Sequence, residues 1–268
     1  MKSYYFIFCK TDLMLQRLDD GTYTIPCLEE PPVGLKPWTT LLNVTPMADG
    51  TPVRTCSVDF PVTTTSHSDN NHDAVIYEMC PLRQSYYRLI PELYLKAGKC
   101  AELVYWDHTT RYCGVCGAPM SLHTDISKRC TQCGKEVWPQ LATAVIVLIH
   151  HGPDQVLLAR GRSFKTDFYG LIAGFVETGE TLEEAVRREV WEETGLHITN
   201  ITYFDSQPWP YPCGLMVGFN ADYAGGQLRL QRDELANAAW FHRDHLPRLP
   251  EKLSIARRLI DHWVEKTE

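Results

Sequence analysis

The chain has 268 residues, of which 44% are hydrophobic, and a formal net charge of −7 at pH 7. This length fits one or two domains with hydrophobic cores of their own, and the acidic balance argues against a protein whose main ligand is duplex DNA. No window approaches about 18 uncharged apolar residues, which excludes a predicted membrane-spanning helix. The start, MKSYYFIFCKTD, lacks a signal-peptide cleavage site. The ten cysteines show no disulfide framework, so we expect a cytoplasmic protein.

Residues 1–105 are predicted to form a β-rich N-terminal domain. The polar tract Thr63–Asp73 is expected to be a loop, and apolar residues recur at helical spacing over Tyr86–Tyr105. We find no catalytic constellation in this part. The predicted strands cover Ser3–Cys9, Cys56–Val62 and Ala74–Cys80.

Residues 106–140 contain two C-x-x-C pairs, each followed by a glycine. Thirteen residues separate the pairs, a spacing that lets two tight turns present four thiolates tetrahedrally to Zn²⁺. Two redox or disulfide pairs are the alternative, but a duplicated pair is more specific for zinc. We expect one structural Zn²⁺ per chain, with no coordination position left for water. The ligands would be Cys113, Cys116, Cys130 and Cys133.

Residues 141–268 change to a mixed α/β pattern, and we expect them to form the third domain. The predicted strands are Ala142–His150, Val156–Arg160, Ile198–Phe204 and Leu215–Tyr223, and the predicted helices are 182–194 and Ser254–Lys266. The fold class is therefore α+β or α/β.

The helix at 182–194 has start and stop signals. Thr181 and Glu184 form a capping-box pattern, and Gly195 is a C-cap candidate. The apolar stripe of this helix consists of Leu182, Ala185, Val186 and Val190.

Acidic residues are concentrated on this helix: Glu177 to Glu193 contains seven glutamates and two arginines. A charge run of this kind is often a solvated face. However, Glu189, Glu192 and Glu193 fall on about the same half of the helix as the apolar stripe. Like charges at these spacings repel unless something neutralises them, and divalent cations with oxygen ligands do so. The pattern therefore favours a metal site.

The stretch from Gly174 to Leu196, GFVETGETLEEAVRREVWEETGL, resembles the complete Nudix box. The resemblance implies the Nudix α/β/α sandwich with a mixed sheet for residues 141–268. It also implies Mg²⁺- or Mn²⁺-dependent hydrolysis of a nucleoside diphosphate linked to another moiety. In matching positions, Glu189 and Glu193 would be the main metal ligands, Glu192 would assist or help to activate water, and Arg188 would orient a glutamate. Glu180 would be structural.

Two further metal ligands are implied by the same resemblance. The backbone carbonyl of Ala173, just before the box, corresponds to a backbone ligand of the family. A carboxylate from a later loop corresponds to Glu234, with the adjacent Asp233 as a rival.

Three features indicate which subfamily of Nudix enzymes the chain resembles. They are the cysteine cluster upstream, the WPQ element at 138–140, and the run SQPWPYP downstream of the box. Together they resemble the NADH pyrophosphatase subfamily, which includes enzymes that remove NAD caps from RNA. The resemblance implies a homodimer that splits NAD(H) into NMN(H) and AMP and leaves a 5′-monophosphate end on NAD-capped RNA. The run would hold the nicotinamide nucleotide through Ser206, Gln207, Pro208, Trp209, Pro210, Tyr211, Pro212 and Cys213.

The alternating prolines of this run fix φ and remove backbone donors, so the segment is not expected to form a central strand or a helix interior. Packing of Trp209 in a core is an alternative to ligand binding. The chain also departs from its relatives at Cys213-Gly214, where they carry a polar residue, often serine.

The resemblance also implies ligand contacts at four further positions. Trp138 and Phe175 stand where aromatic rings lie near the ligand, with core packing as the alternative. Ala256 matches a contacting backbone position. Arg83 resembles an N-terminal arginine that reaches the substrate, with a surface role as the alternative and Arg88 as a rival in register.

Two other functions compete. One is a Nudix enzyme for ADP-ribose or a dinucleoside polyphosphate. The other is a non-catalytic RNA-binding module, against which the intact box and the acidic charge both argue.

Overall fold

The computed structural model describes residues 1–62, 65–66, 75–162 and 167–266. The loop expected at Thr63–Asp73 lies outside the described residues, except for the backbone of Thr65–Ser66. The chain forms two compact units, Met1–Gln140 with Pro210–Cys213, and Leu141–Trp209 with Gly214–Glu268. The division into domains 1–105, 106–140 and 141–268 stays a prediction.

The first unit holds eleven of the described strands and two helices. They are β1 (Ser3–Cys9), β2 (Asp12–Arg17), β3 (Tyr23–Thr24), β4 (Cys27–Leu28), β5 (Leu42–Val44), β6 (Val53–Ser57), β7 (Thr65–Ser66), β8 (Val75–Pro81), α1 (Leu82–Ser85), α2 (Pro91–Thr109), β9 (Met120–Thr124), β10 (Ser127–Cys130) and β11 (Glu136–Val137).

The larger sheet of this unit has the order β5-β6-β1-β2-β8-β7, with β3 paired to β2 and β4 to β1. Strand β1 is central and buried on both faces: Phe6 and Phe8 pack into the same core as α2, whereas Tyr5 and Ile7 enter a second core on the opposite side. The predicted strand Ser3–Cys9 is confirmed residue for residue.

Helix α2 begins at Pro91, five residues later than predicted. Proline is favoured in the first turn because its missing N–H has no helical partner there, and it disfavours helical backbone in the residue before it. Accordingly, Ile90 is extended, with φ −63° and ψ 149°. The apolar spacing over Tyr86–Tyr105 indicated the helix but not where it begins.

The cysteine-rich segment forms a second, three-stranded sheet in the order β11-β10-β9. Lys128 of β10 is 4% exposed, and its Nζ donates to Asp107 Oδ1 at 2.7 Å and to the Asp107 carbonyl at 2.8 Å. The same ammonium lies 5.3 Å from the centre of the Trp106 ring. A buried ion pair therefore attaches this sheet to the last turns of α2.

The second unit is built on one mixed sheet. Its elements are β12 (Ala142–His151), β13 (Gln155–Gly161), β14 (Ile172–Phe175), α3 (Leu182–Thr194), β15 (Leu196–Trp209), β16 (Gly214–Gly226), β17 (Leu235–His242) and α4 (Ile255–Glu265). The order is β15-β16-β12-β13-β17, with β14 also on β12. Strands β12 and β16 are parallel, and the other pairs are antiparallel.

Alternation along β12 creates the two faces of this sheet. Val145 and Val147 pack into the core that contains α3, whereas Ile146 and Leu148 pack into the core that contains α4. A β-branched run buried on both sides is what a central strand between two helical layers requires. The expected α/β/α sandwich is confirmed.

Strand β15 extends five residues beyond the predicted strand and takes in Ser206–Trp209. It lies at the end of the strand order, where a proline removes no ladder bond from a second neighbour. The run is therefore not a central strand, as expected. Among the described residues, no helix is long and apolar enough to cross a membrane.

Candidate active site and zinc centre

Helix α3 starts and ends as its sequence predicts. The Thr181 hydroxyl accepts from the Glu184 backbone N–H at 3.2 Å, and Glu184 Oε2 accepts from the Thr181 backbone N–H at 2.8 Å. Gly195 closes the helix with a φ of 69°, a left-handed conformation that glycine adopts without a steric cost. The capping box and the C-cap thus fix the position of every glutamate on this helix.

Arg188 is the centre of the acidic site, and all five of its N–H donors are used. Nε and Nη2 donate to the two oxygens of Glu180 at 2.5 and 2.9 Å. Nη2 also donates to the Phe175 carbonyl at 2.9 Å. Nη1 donates to Glu189 Oε1 at 2.8 Å and to Glu192 Oε2 at 3.1 Å. One planar guanidinium therefore orients three carboxylates and the end of β14.

The Arg188 hydrogen bonds, followed by the Glu177 backbone N–H, lower the pKa of Glu180 to about 2. Glu180 is thus a permanent anion at neutral pH. This placement fits the structural role implied for Glu180.

The first glycine of the box leaves room for a catalytic-helix carboxylate. A Cβ built on Gly174 would lie 2.0 Å from the Glu189 carboxyl carbon, far inside contact distance. The Glu189 side chain therefore lies directly against the backbone of β14, and any larger residue at position 174 displaces it. Sequence reasoning placed this glycine in the motif without identifying the contact.

Glu193 is the most deeply buried acid of the site, at 5% exposure. Burial first, and then the charges of Glu189, Glu234 and Glu192, raise its pKa to about 8. Burial likewise raises the pKa of Glu189, against the opposing effect of Arg188. Several carboxylates that repel one another in a partly dry site are a set of hard oxygen donors that a divalent cation would neutralise. These residues fit a divalent metal ion.

The loop carboxylate that acts on this site is that of Glu234. Its charge contributes to the raised pKa of both Glu189 and Glu193, and Asp233 is not among the contributing charges. Glu234 lies just before β17 and is exposed. The placement favours Glu234 over its rival as a further ligand.

Ala173 and Phe175 flank Gly174 on β14. Ala173 is exposed and pairs with Ile146 of β12. Phe175 is 65% exposed, so its ring does not pack in a core. Their strand carries the backbone past the carboxylates of α3.

The four cysteine Sγ atoms all lie within 4.8 Å of one another. No other group of three or more metal-ligating side chains in the described part of the chain is so closely gathered. Backbone N–H donors lower the pKa of Cys113 and Cys130. At Cys133, against the lowering effect of the Lys135 backbone N–H, the neighbouring cysteine side chains raise the pKa to about 12. A bound cation would stabilise the thiolate form of all four. Gly117 and Gly134 take φ values of 76° and 74° after each pair. The geometry fits a closed, structural Zn²⁺ site.

The proline-aromatic run divides between the two units. Ser206–Trp209 pairs with Val217–Gly214 of β16, and Trp209 is half-buried. The Gln207 side chain donates to the Leu253 carbonyl at 2.8 Å and accepts from the Ile255 backbone N–H at 2.6 Å. Gln207 therefore binds the start of α4, a contact between residues 48 apart that local sequence does not reveal.

Ala256, the second residue of α4, is 8% exposed and packs into the core beneath that helix.

The remainder of the run, Pro210–Cys213, belongs to the first unit. Pro210 is buried, and a Cβ on Gly98 of α2 would lie 3.1 Å from its Cγ. The Tyr211 hydroxyl is 3.0 Å from the Tyr94 hydroxyl. This part of the run therefore packs on the core of the first unit.

Three further positions were predicted to contact the ligand: Arg83, its rival Arg88, and Trp138. Arg83, on α1, is exposed and lines a cavity of the first unit. Its rival Arg88 is 3.3 Å from Glu78 Oε2, and its guanidinium lies 4.8 Å from the centre of the Tyr23 ring. Arg88 is thus engaged with side chains of β8 and β3. Trp138 is 53% exposed, so it does not pack in a core.

Comparison with known proteins gives consistent matches. Residues 140–264 match the NUDIX domain family, and residues 108–137 match the NADH pyrophosphatase zinc ribbon domain family. The chain is 42% identical over 190 residues to the NAD-capped RNA hydrolase NudC of Chromobacterium violaceum, covering 70% of this chain and 71% of that protein. It is 42% identical over 188 residues to the NAD-capped RNA hydrolase NudC of Stutzerimonas stutzeri, covering 69% and 67%.

Among solved structures, the chain resembles a NUDIX hydrolase from Nitrosomonas europaea with a TM-score of 0.50 and 19% identity. The match covers 58% of this chain and 92% of that one. This likeness concerns the fold alone.

Proposed function

The chain belongs to the Nudix hydrolases that carry an NADH pyrophosphatase zinc ribbon, and from this membership we propose that it hydrolyses the diphosphate of NAD(H) to NMN(H) and AMP. On RNA that begins with NAD, the same reaction removes the cap and leaves a 5′-monophosphate. The observation that carries the proposal is the set of carboxylates on α3 that Arg188 orients.

A diphosphate is anionic and resists attack by water, so its hydrolysis needs masking of charge and an activated nucleophile. Glu189, Glu193, Glu234 and the Ala173 carbonyl would hold Mg²⁺ or Mn²⁺, which when bound neutralises phosphate charge and makes water more acidic. Holding the cation also stabilises the ionised form of Glu193, whose pKa is otherwise about 8.

Glu192 is the acid of the helix best placed to take a proton. Its side chain is 51% exposed, and Arg188 Nη1 holds its Oε2 at 3.1 Å. An oriented carboxylate with access to solvent suits a general base that receives the proton of an attacking water. Arg188 is a positioning residue, since it acts through the glutamates that it holds.

Recognition of the nicotinamide nucleotide would involve the run Ser206–Cys213 together with Arg83, Trp138, Phe175 and Ala256. Trp138 and Phe175 both have exposed rings, which leaves them available to stack on a flat base. Gln207 and Tyr211 are engaged within the protein, so they would support the shape of the run more than contact the ligand directly.

We further propose a homodimer in the cytosol, with one structural Zn²⁺ per chain. The dimer rests on the subfamily resemblance. None of the ten cysteines is in a disulfide, which suits a reducing compartment.

The test measures hydrolysis of NADH, NAD⁺, NAD-capped RNA and ADP-ribose by the purified protein in Mg²⁺ or Mn²⁺. The products are identified by chromatography. We expect NMNH and AMP from NADH, and a higher kcat/KM for NADH than for ADP-ribose. Equal or faster turnover of ADP-ribose would replace the nicotinamide assignment by the alternative substrate class. RNA binding without hydrolysis of any of these compounds would favour a non-catalytic module. Full activity in Glu193→Gln would contradict the metal site.

A further inference from the structure

The turn Pro210–Cys213 joins β15 to β16 and belongs to the first unit. Pro210 is buried, and Tyr211 packs against the core that contains α2. Two residues of this helix, Tyr94 and Gly98, contact the turn. Because the turn is the second half of the run assigned to the nicotinamide nucleotide, the face of α2 beneath it sets where that half of the run lies.

Gly98 lies in the interior of α2, where a glycine weakens a helix because it adds backbone entropy to the unfolded chain. Its presence there is explained by Pro210. A Cβ on Gly98 would lie 3.1 Å from Pro210 Cγ, closer than ordinary van der Waals contact, and 3.7 and 3.9 Å from the Cβ and Cδ atoms of the same ring. The missing side chain thus lets the proline ring lie directly against the helix backbone.

Tyr94 precedes Gly98 by four residues, about one helical turn, and so lies on the same side of α2. It is 8% exposed, and its hydroxyl is 3.0 Å from the Tyr211 hydroxyl. The ring of Tyr94 is itself held, because the ring of Tyr86 packs edge-on against it with the ring centres 5.3 Å apart. A hydroxyl on a fixed ring therefore holds the hydroxyl of Tyr211.

The contacts of the turn and those of the catalytic carboxylates are made by different parts of the chain. Arg188 orients the carboxylates of α3 within the second unit. Tyr94 and Gly98 hold the turn within the first unit. A change at Tyr94 or Gly98 is therefore expected to alter substrate binding and to leave the chemical step in place.

We propose that Tyr94 and Gly98 are positioning residues for the nicotinamide nucleotide, an inference that rests on the proposed function. They act through the turn: the hydroxyl bond fixes the direction of the Tyr211 ring, and the close approach to Gly98 fixes the place of Pro210. A turn that is held in advance loses less conformational entropy when a nucleotide binds to it. The two residues thus favour a substrate with a nicotinamide over ADP-ribose, which lacks that group.

The experiment measures kcat and KM for NADH and for ADP-ribose in Tyr94→Phe, Tyr211→Phe and the double variant. Phenylalanine removes the hydroxyl and keeps the ring. Tyr5→Phe is the matched control, because Tyr5 is 1% exposed and its hydroxyl donates to the Glu29 carbonyl at 3.3 Å. Its ring enters the core on the opposite side of β1 from α2. Denaturant unfolding compares the stability of all variants.

We expect Tyr94→Phe to raise the KM for NADH about fivefold, the effect that loss of one neutral hydrogen bond typically has, with kcat within about twofold of the parent. The KM for ADP-ribose should stay unchanged. The double variant should have a KM no higher than that of the worse single variant, since both changes remove the same bond. Tyr5→Phe should keep the KM of the parent even where its stability falls equally.

Three results would each overturn the role of Tyr94. They are an unchanged KM for NADH in Tyr94→Phe, an equal rise of KM in Tyr5→Phe, and rises of KM that add in the double variant.

Gly98→Ala tests the second contact. Alanine is the better helix former, but its Cβ would displace the Pro210 ring, so we expect the KM for NADH to rise at least about threefold with kcat kept. Gly34→Ala, where nothing lies within 4 Å of the added Cβ, should keep both constants. A KM in Gly98→Ala equal to that of the parent would overturn the role of Gly98.

Calorimetric titration with NMN separates this inference from the proposed function, because it needs no hydrolysis. We expect the Kd for NMN to rise in Tyr94→Phe by about the same factor as the KM for NADH, about fivefold. If NADH is not hydrolysed but NMN binds and is weakened in Tyr94→Phe and not in Tyr5→Phe, the proposed function fails and the positioning role stands. If NADH is hydrolysed and both constants are unchanged, the positioning role fails alone. Neither hydrolysis of NADH nor binding of NMN by the parent would overturn both.

Discussion

Arg188 and Glu180 form a two-point ion pair in which Nε and Nη2 donate to both carboxylate oxygens, at 2.5 and 2.9 Å. This pair fixes the plane of the guanidinium. The remaining donors are thereby aimed at the Phe175 carbonyl and at Glu189 and Glu192. The orientation of two functional carboxylates thus depends on an acid that does not itself belong to the metal site.

Replacement of Arg188 by lysine should lower kcat for NADH by about a hundredfold, the size of effect that small misplacement of reacting groups produces. A lysine ammonium has three donors and no planar fork, so it cannot hold three carboxylates and a carbonyl together. We expect KM to change little. The kinetic constants are measured by NMNH release.

Arg187→Lys is the control for this prediction. Arg187 is the exposed neighbour on α3, and its guanidinium donates to the Glu183 carbonyl at 3.3 Å. It should retain full activity. Equal kcat in the two variants would show that the fork geometry of Arg188 has no part in catalysis.

Alanine at position 174 should reduce activity through Glu189. The added Cβ would lie 2.0 Å from the Glu189 carboxyl carbon, so the side chain must move away from β14. Because the atoms that clash are the far end of a flexible side chain, we expect little change in the free energy of unfolding and a loss of affinity for Mn²⁺. Denaturant unfolding and Mn²⁺ titration measure the two quantities.

Gly34→Ala is the comparison, because nothing lies within 4 Å of a Cβ at that position and its φ is not in the left-handed region. It should leave stability and Mn²⁺ affinity unchanged. A Gly174→Ala protein that bound Mn²⁺ like the parent would mean that Glu189 does not need its observed position.

The parts of the fold that the sequence predicts well are those set by local signals. The apolar run of β12 predicted the bounds of that strand to within one residue. The capping signals at Thr181 and Gly195 predicted both ends of α3. Each depends on side chains within one turn or one strand of the boundary. The Nudix box placed Arg188 and the acids for the same reason, since their spacing along one helix is local information.

Long-range contacts account for what the sequence did not predict. The amide of Gln207 binds residues at the start of α4, 46 and 48 positions later, and Tyr211 meets Tyr94 across 117 positions. Such partners become visible only when the tertiary structure brings them together.

Without divalent cations, the stability of the protein should fall as pH rises from about 4.5 to about 8. The pKa of Glu193 is raised from 4.5 to about 8 in the fold, chiefly by burial. Below the unfolded pKa the group is protonated in both states; as pH rises, the unfolded state loses the proton first, which favours unfolding. Thermal unfolding across this range measures the effect. In Glu193→Gln the corresponding part of the slope should disappear.

Addition of Mg²⁺ or Mn²⁺ should flatten the same profile in the parent, because a bound cation stabilises the ionised carboxylates. Glu183→Gln, a change of an exposed acid on α3, is the control and should keep the slope of the parent. Identical profiles for Glu193→Gln and the parent would exclude Glu193 as the group responsible.

Removal of zinc should unfold the cysteine-rich sheet without directly removing the catalytic cation. The four Sγ atoms lie within 4.8 Å of one another, as the ligands of a tetrahedral Zn²⁺ site do, and such sites contribute folding free energy outright. We expect a zinc-selective chelator to release one Zn²⁺ per chain and to reduce the protection of β9–β11 in hydrogen exchange.

Activity lost in this way should return on addition of Zn²⁺ and not on addition of Mg²⁺ alone. Immediate full recovery with Mg²⁺, while the sheet remains unprotected, would contradict a structural role. Because Lys128 of this sheet is paired with Asp107 of α2, exchange in the last turn of α2 should rise together with that of β10.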